Sequence, residues 1–216
     1  MNSKVVRNLF TAVLILILLA AAWIWWQDSK RSAALQKQEA AYEQKLGFGS
    51  IPGKPAPDFT LTNENGQTVS LHQFQGKVVV LQFMDPECTD ICPVVSQELV
   101  DADIMGPLKS NVVFVAVNVN QYHAKPSELR AFSKAHGLSN LSNWYFVTGS
   151  TSQLQKVWHD YGIYVKPTRT GDVEHGSYYY FIDPSGKERY LAPATNDKAT
   201  ISDWSQAIAF YSERLM

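Results

Sequence analysis

Cysteine is scarce in this chain: Cys88 and Cys92 are the only two in 216 residues. A structural zinc site needs four protein ligands, normally with a second cysteine pair, so that site is disfavoured. An excess of charge is missing too. With 19 Lys and Arg against 20 Asp and Glu there is no basic field to draw nucleic acid. No internal repeat is present. What remains is the composition of a globular protein, 45% apolar and 18% charged, which argues against disorder throughout. The length suits one ordinary domain plus an appendage.

The appendage comes first. "LFTAVLILILLAAAWIWW", Leu9 to Trp26, contains no charge, and a helix of about 20 apolar residues spans a bilayer core. Trp23, Trp25 and Trp26 suit an interfacial aromatic belt. Ala20, Ala21 and Ala22 offer small residues for signal-peptide cleavage, but the apolar run continues past them, so an uncleaved anchor is the preferred reading. Lys4 and Arg7 precede the span while Lys30, Arg31 and Lys37 follow it, which leaves little positive-inside bias. A short N-terminal tail usually stays inside, and a cysteine pair is at home in an oxidising compartment. The rest of the chain is therefore expected on the periplasmic or outer face. The expected organisation is a cytoplasmic tail at 1–8, an anchor at 9–26, a stalk or linker at 27–50 and a globular domain at 51–216. The stalk is rich in Ala, Gln, Lys and Glu and suits a helix, although a solvated linker is preferred.

After the prolines of "IPGKPAPDF" the pattern alternates strand and helix. "DFTLTNENGQTVSL" predicts a hairpin around Asn65-Gly66. "KVVVLQFM" and "NVVFVAVNV" read as strands buried on both faces. "CPVVSQELVDADIMGPLK" predicts a helix with Pro93 in its first turn, and "KPSELRAFSKAHG" a helix ending on Gly137. "NWYFVTG" predicts a strand and "STSQLQKVWHDYG" a helix capped by Ser150 or Thr151. "SYYYFIDPSGKERYLAP" predicts a hairpin turning at Asp183–Gly186, and "ATISDWSQAIAFYSERL" a closing amphipathic helix. The fold class is α/β, a central sheet with helices on both faces.

"MDPECTDICP" sets both thiols at the carboxyl end of a buried strand, beside a helix N-terminus. The dipole and free amides there favour a thiolate, while Asp85, Glu87 and Asp90 oppose it, and the net sign stays open. Thiolate is the form that attacks disulfides and ligates metals. Two soft sulfurs plus one imidazole suit Cu(I). The same sulfurs can close a small disulfide, although an inert structural bridge usually closes a longer loop. Five histidines compete for the third position. His72 lies in a polar turn, His136 at a helix end, His159 on a helix face and His123 in a loop after "NVN". His175, just before a buried strand, is placed to approach the cysteine loop.

An apolar anchor, C-x-x-x-C-P opening a helix, and E-H-x-S ahead of "YFIDPSG" together resemble the Sco/SenC family, from roughly Pro55 to the C terminus. Members of that family are thioredoxin-like copper-binding proteins that help assemble the dinuclear copper centre of cytochrome c oxidase. The resemblance implies a thioredoxin-like fold and a copper site of Cys88, Cys92 and His175, taking Cu(I) with Cu(II) left open. It implies as partner the oxidase subunit that carries the copper centre, or another copper or thiol protein. This chain departs from the family motif T-x-C-P-D-x-C-P at Pro86 and Thr89, and Glu174 stands where aspartate is usual. "NVNQYHAKPSEL" replaces an acidic D-P-x-x-D segment.

A second reading is a thiol-disulfide oxidoreductase using the Cys88/Cys92 pair as its catalytic residues. One thiolate attacks a partner disulfide and the other resolves the mixed disulfide. The usual C-x-x-C spacing is absent, and Pro167 of "KPT" lies well before the strand where a facing proline belongs. Thr89-x-x-Cys92 echoes a thiol-peroxidase motif without its upstream proline. A docking module without chemistry is the remaining alternative.

Overall fold

The computed structural model describes residues 3–105, 108, 110–194 and 199–216. Helix α1 (Ser3–Leu46) runs through the apolar span and on through the segment expected as a linker. That segment has no glycine or proline before Gly47, so good helix formers carry the turn forward. Gly47, with φ of 76°, ends the helix in the left-handed conformation that glycine adopts without strain.

The chain forms two compact units, residues 1–44 and Lys45–Met216. The first is exposed helix, with a window of mean hydropathy 2.4, long and apolar enough to cross a membrane. The Trp23 and Trp26 rings pack with centroids 5.4 Å apart, and the Lys30 ammonium lies 4.6 Å from the Trp26 ring. The first two residues of the expected cytoplasmic tail lie outside the described residues.

The second unit begins ahead of the expected Ile51: Leu46 and Phe48 are already buried. Its elements follow in order: β1 (Gly49–Ser50), β2 (Thr60–Asn63), β3 (Thr68–Ser70), a 3-10 turn at Leu71–Phe74, β4 (Val78–Met84), α2 (Ile91–Met105) and β5 (Val112–Asn118). Then come α3 (Pro126–Ala135), a 3-10 turn at Leu138–Asn140, β6 (Trp144–Thr148), α4 (Thr151–Asp160), β7 (Val165–Lys166), β8 (Glu174–His175), β9 (Tyr178–Ile182), β10 (Glu188–Pro193) and α5 (Ile201–Leu215). The far end expected for the cysteine helix, at Gly106, Pro107 and Lys109, lies outside the described residues.

The main sheet has the order β1-β10-β9-β4-β5-β6-β2-β3. β4 pairs in parallel with β5 and β5 with β6, while β9 runs antiparallel to β4 and β10 to β9. The β4–α2–β5 unit thus meets a β9–β10–α5 unit across β4, which is the thioredoxin-like arrangement. All seven residues of β4 and of β5 are buried, as their largely apolar runs require, with Gln82 and Asn118 the two polar members. Val79, Leu81 and Phe83 of β4 join Leu154, Val157 and Trp158 of α4 in one core. Across the sheet, Tyr179 and Phe181 of β9 pack on Trp204 and Tyr211 of α5, and α2 packs beside α5. Each such side chain taken from water stabilises the fold by roughly 1.5–3 kcal/mol. Capping follows the sequence: Ser150 accepts from the Gln153 N–H and Thr200 from the Asp203 N–H.

A two-stranded ribbon of β7 and β8 stands apart from the main sheet, with Val165 opposite His175. β4 ends beside β5 in the middle of the sheet, so the loops after these strands open at the same edge. That edge carries the cysteines.

Candidate metal centre

Asp85 organises this edge. It follows the last residue of β4, is fully buried, and its carboxylate accepts three hydrogen bonds. Oδ1 receives the Glu87 amide at 2.9 Å and Asn120 Nδ2 at 3.0 Å, and Oδ2 receives the Val173 amide at 2.9 Å. One side chain therefore ties the cysteine loop, the loop after β5 and the approach to β8. Its carbonyl also accepts the Cys88 N–H. Asn118 braces the second loop, donating to the carbonyls of Asn120 and His123 and to the Thr148 hydroxyl.

Cys88 sits just before α2 and Cys92 in its first turn. Both are free thiols and both are buried. The Cys92 amide donates to Cys88 Sγ at 3.3 Å, and the Cys88 thiol donates to Asp90 Oδ1 at 3.0 Å. The two sulfurs are unequal. A hydrogen bond from the Cys92 thiol draws the Cys88 pKa below the usual thiol value, against opposition from burial and from Asp90. Cys92, which supplies that bond and is more deeply buried, is held well above it. The thiol partner dominates where the sequence pointed to the helix dipole, and the sign left open resolves in opposite directions for the two residues. Asp90 is pulled below the usual carboxylate range by the Cys88 thiol and then by the Ile91 amide.

His175 stands at the end of β8, half-buried. Its Nδ1 faces the Gly176 carbonyl at 3.0 Å, which places the ring proton on Nδ1 and leaves Nε2 as the open donor. Burial lowers its pKa, against Gly176, Asp85 and Asp90, and so favours the neutral imidazole that metals bind. Gly176 is itself constrained, because a Cβ there would lie 3.1 Å from the Tyr178 ring.

Cys88, Asp90, Ile91, Asp172 and His175 line one cleft of about 380 Å³. Among the described residues, the ligand atoms of Cys88, Asp90 and Asp172 lie within 4.8 Å of one another. His175 opens onto the same cleft outside that tight group. The structure thus brings Cys88 and His175 to one cleft, while Cys92, the more deeply buried sulfur, lies behind Cys88 and is not among the residues that line it. Thiol sulfur and neutral imidazole nitrogen are soft donors of the kind that suit a monovalent soft cation.

The other histidines sit elsewhere. His72 is in the 3-10 turn after β3, its amide donating to Asp58. His136 caps α3 and packs on Phe132 at 4.4 Å. His159 is exposed beside Asp160. His123 lies 3.5 Å from Glu87 and 3.4 Å from Glu128, so it comes near the cysteine loop, but through carboxylates. Thr89 turns its hydroxyl to Asp172, which leaves the T-x-x-C resemblance without its chemistry. Sequence reasoning missed Asp85 as a scaffold and Asp172 as a neighbour of Cys88. A charged residue ending a largely apolar strand was the available signal for the first; for the second there was none.

Residues 52–209 match the SCO1/SenC family. The SCO1 protein homolog of Bacillus subtilis is 31% identical over 135 residues, which is 60% of this chain and 68% of that protein. The structure of BsSco, described as a member of the Sco family of cytochrome c oxidase assembly proteins with a disulfide switch, is 25% identical. It superposes with a TM-score of 0.61 over 74% of this chain and 95% of its own. The copper-bound structure of Arabidopsis thaliana ScoI shares the fold at 18% identity, with a TM-score of 0.61 over 76% of this chain and all of its own. With most of its globular unit matched and the C-x-x-x-C-P motif in place at the edge of a thioredoxin-like sheet, the chain belongs to the SCO1/SenC family.

Proposed function

We propose that this protein is a membrane-anchored, extracytoplasmic copper carrier that binds copper through Cys88, Cys92 and His175 and serves assembly of the copper centre of cytochrome c oxidase. The observation that carries the reading is the convergence of Cys88 and His175 on one cleft, from loops tied together by Asp85. Copper is the cargo. Two thiolates hold Cu(I) in low coordination, and the His175 Nε2, its ring oriented by Gly176, completes the set. Transfer then proceeds by exchange of ligands with thiolates of the acceptor, the oxidase subunit that carries the copper centre or another copper-binding partner. The copper-bound plant relative and the assembly role described for BsSco support copper as the metal and the oxidase as the destination. The Leu9–Trp26 segment of α1 is the anchor, with the tail before it cytoplasmic and residues 27–44 a stalk, shorter than the expected 27–50 because residues 45–50 belong to the globular unit.

The test is titration of the reduced full chain in detergent with Cu(I) against a chromophoric chelator, beside Cys88→Ser, Cys92→Ser and His175→Ala. One tight site is expected, lost with either cysteine and weakened without His175. A wild-type chain that binds no Cu(I) ends the carrier reading.

The inequality of the thiols favours a second activity alongside the first. Cys88, the sulfur on the cleft and the better thiolate, attacks a partner disulfide, forming a mixed disulfide and releasing one partner thiolate. Cys92 then loses its proton and attacks Cys88 Sγ, releasing the second partner thiolate. The protein is left with a Cys88–Cys92 disulfide, and the partner has gained two electrons. Reducing a target's cysteines prepares them to receive the metal.

A further inference from the structure

The Sco/SenC motif has proline immediately after its first cysteine, and this chain has Thr89. A proline has neither an amide proton nor a hydroxyl. Thr89 has both and directs both at one carboxylate: its amide lies 3.5 Å and its hydroxyl 3.4 Å from Asp172 Oδ2. Asp172 comes from the loop ahead of β8. The next residue, Val173, is buried and held by Asp85 at 2.9 Å, and nearby Arg169 lies with its guanidinium 4.5 Å from the Tyr122 ring. The loop is thus pinned on both sides of Asp172, and its carboxylate joins Asp90 and Cys88 Sγ in a cluster within 4.8 Å.

The two carboxylates are differently engaged. Asp90 takes the Cys88 thiol and the Ile91 amide on the same Oδ1. Among the described residues, Asp172 has only the two long contacts from Thr89, so its oxygen is the cheaper one to redirect. Cu(I) prefers sulfur and low coordination and gains little from a carboxylate; Cu(II) prefers nitrogen and oxygen donors in tetragonal geometry.

Resting on the copper reading above, we propose that Asp172, held over the cysteine loop by Thr89, is a ligand that this site uses for Cu(II) and not for Cu(I). The chain thereby discriminates between oxidation states with a residue outside the two-cysteine, one-histidine set.

The experiment compares wild type, Asp172→Asn, Thr89→Pro and the double variant as full chains in detergent, fully reduced. Cu(I) affinity is read against a chromophoric chelator. Stoichiometric Cu(II) is read on mixing by electron paramagnetic resonance and by the sulfur-to-copper charge-transfer band. Loss even of a group that only supports a ligand typically costs roughly 10–100-fold in metal affinity, which sets the floor for loss of a ligand. Asp172→Asn is therefore expected to weaken Cu(II) by about tenfold or more and to change the copper hyperfine pattern, with Cu(I) affinity moved less than about threefold. Thr89→Pro is expected to shift Cu(II) in the same direction by a smaller factor, and to add nothing in the Asp172→Asn background. Equal losses for both oxidation states, an unchanged Cu(II) spectrum, or a wild type that forms no Cu(II) species overturns the inference. If Cu(I) binding needs Cys88, Cys92 and His175 while Asp172→Asn is silent, the carrier reading stands and this inference alone falls. A wild type that binds neither ion removes both.

Discussion

Replacing Asp85 by asparagine tests whether one buried carboxylate holds the cleft together. The two side chains are nearly isosteric, so packing is preserved and the effect isolates the hydrogen bonds. Asparagine keeps one oxygen. If that oxygen stays where Oδ1 is, the bonds from the Glu87 amide and Asn120 survive, and an NH2 group is turned against the Val173 N–H. A buried donor without a partner costs about 1–3 kcal/mol, and bonds to a carboxylate are worth up to about twice neutral ones. The loss should total roughly 2–4 kcal/mol. If the amide flips to rescue Val173, it gives up two bonds instead of one, and the cost is no smaller.

For a unit of this size each kcal/mol moves Tm by roughly 2–4 °C, so Asp85→Asn should melt on the order of 5–10 °C earlier. The damage should be directional. Amide exchange at Val173 should accelerate more than exchange in β4, because the freed bond leads toward His175 and away from the sheet. Cu(I) affinity should fall in the otherwise native chain and change little further in a His175→Ala background, since both changes remove the same ligand from position. The assays are calorimetry, amide exchange by mass spectrometry and chelator competition on the full chain in detergent. An unchanged Tm with unchanged protection at Val173 would refute the argument, because a fully buried acceptor of three bonds cannot be silent if those bonds form.

Two further expectations concern protons. Burial raises the Glu98 pKa from 4.5 to about 8, with the Tyr179 hydroxyl at 2.5 Å pulling the other way. A raised folded pKa contributes stability below the unfolded value and loses it as pH climbs through the folded one. Wild type should therefore lose on the order of 3 kcal/mol relative to Glu98→Gln between pH 5 and pH 8 in urea unfolding, and parallel curves for the two would defeat the assignment. The Cys88 thiolate should in turn depend on the Cys92 thiol. Cys92→Ala should shift the pH profile of Cys88 alkylation by iodoacetamide upward, and a profile that stays in place would mean that another group stabilises the thiolate.

Much of the architecture was legible because it rests on burial patterns. "VVVLQFM" and "VVFVAVN" are buried at every position, so their lack of alternation identified central strands. Asn65-Gly66 and the Asp183–Gly186 turn announced hairpins by turn chemistry, and both formed. The β7–β8 ribbon was not legible. Its strands are two residues long, too short for any period to register, and they pair across the loop that carries Asp172. The helical course of residues 27–46 was undervalued because a polar helix shows no apolar stripe, although its composition favours helix throughout.

The site divides along the same line. Cys88, Cys92 and His175 are proposed as ligands from residue type, spacing and family resemblance, because such chemistry is carried by the side chains themselves. What positions them is carried by long-range hydrogen bonds, which leave no local period. Asp85 and Val173 are 88 positions apart, and Thr89 and Asp172 are 83 apart. The departures from the family motif take on meaning only through those contacts. Where an acidic segment is usual after β5, Asn120 donates to Asp85, and Asn118 holds the loop by donating to its carbonyls. Where proline is usual after the first cysteine, Thr89 reaches across to a carboxylate that a proline could not hold. The acceptor for Asn120 is Asp85, at the start of the cysteine loop, and the acceptor for Thr89 is Asp172, which faces that loop.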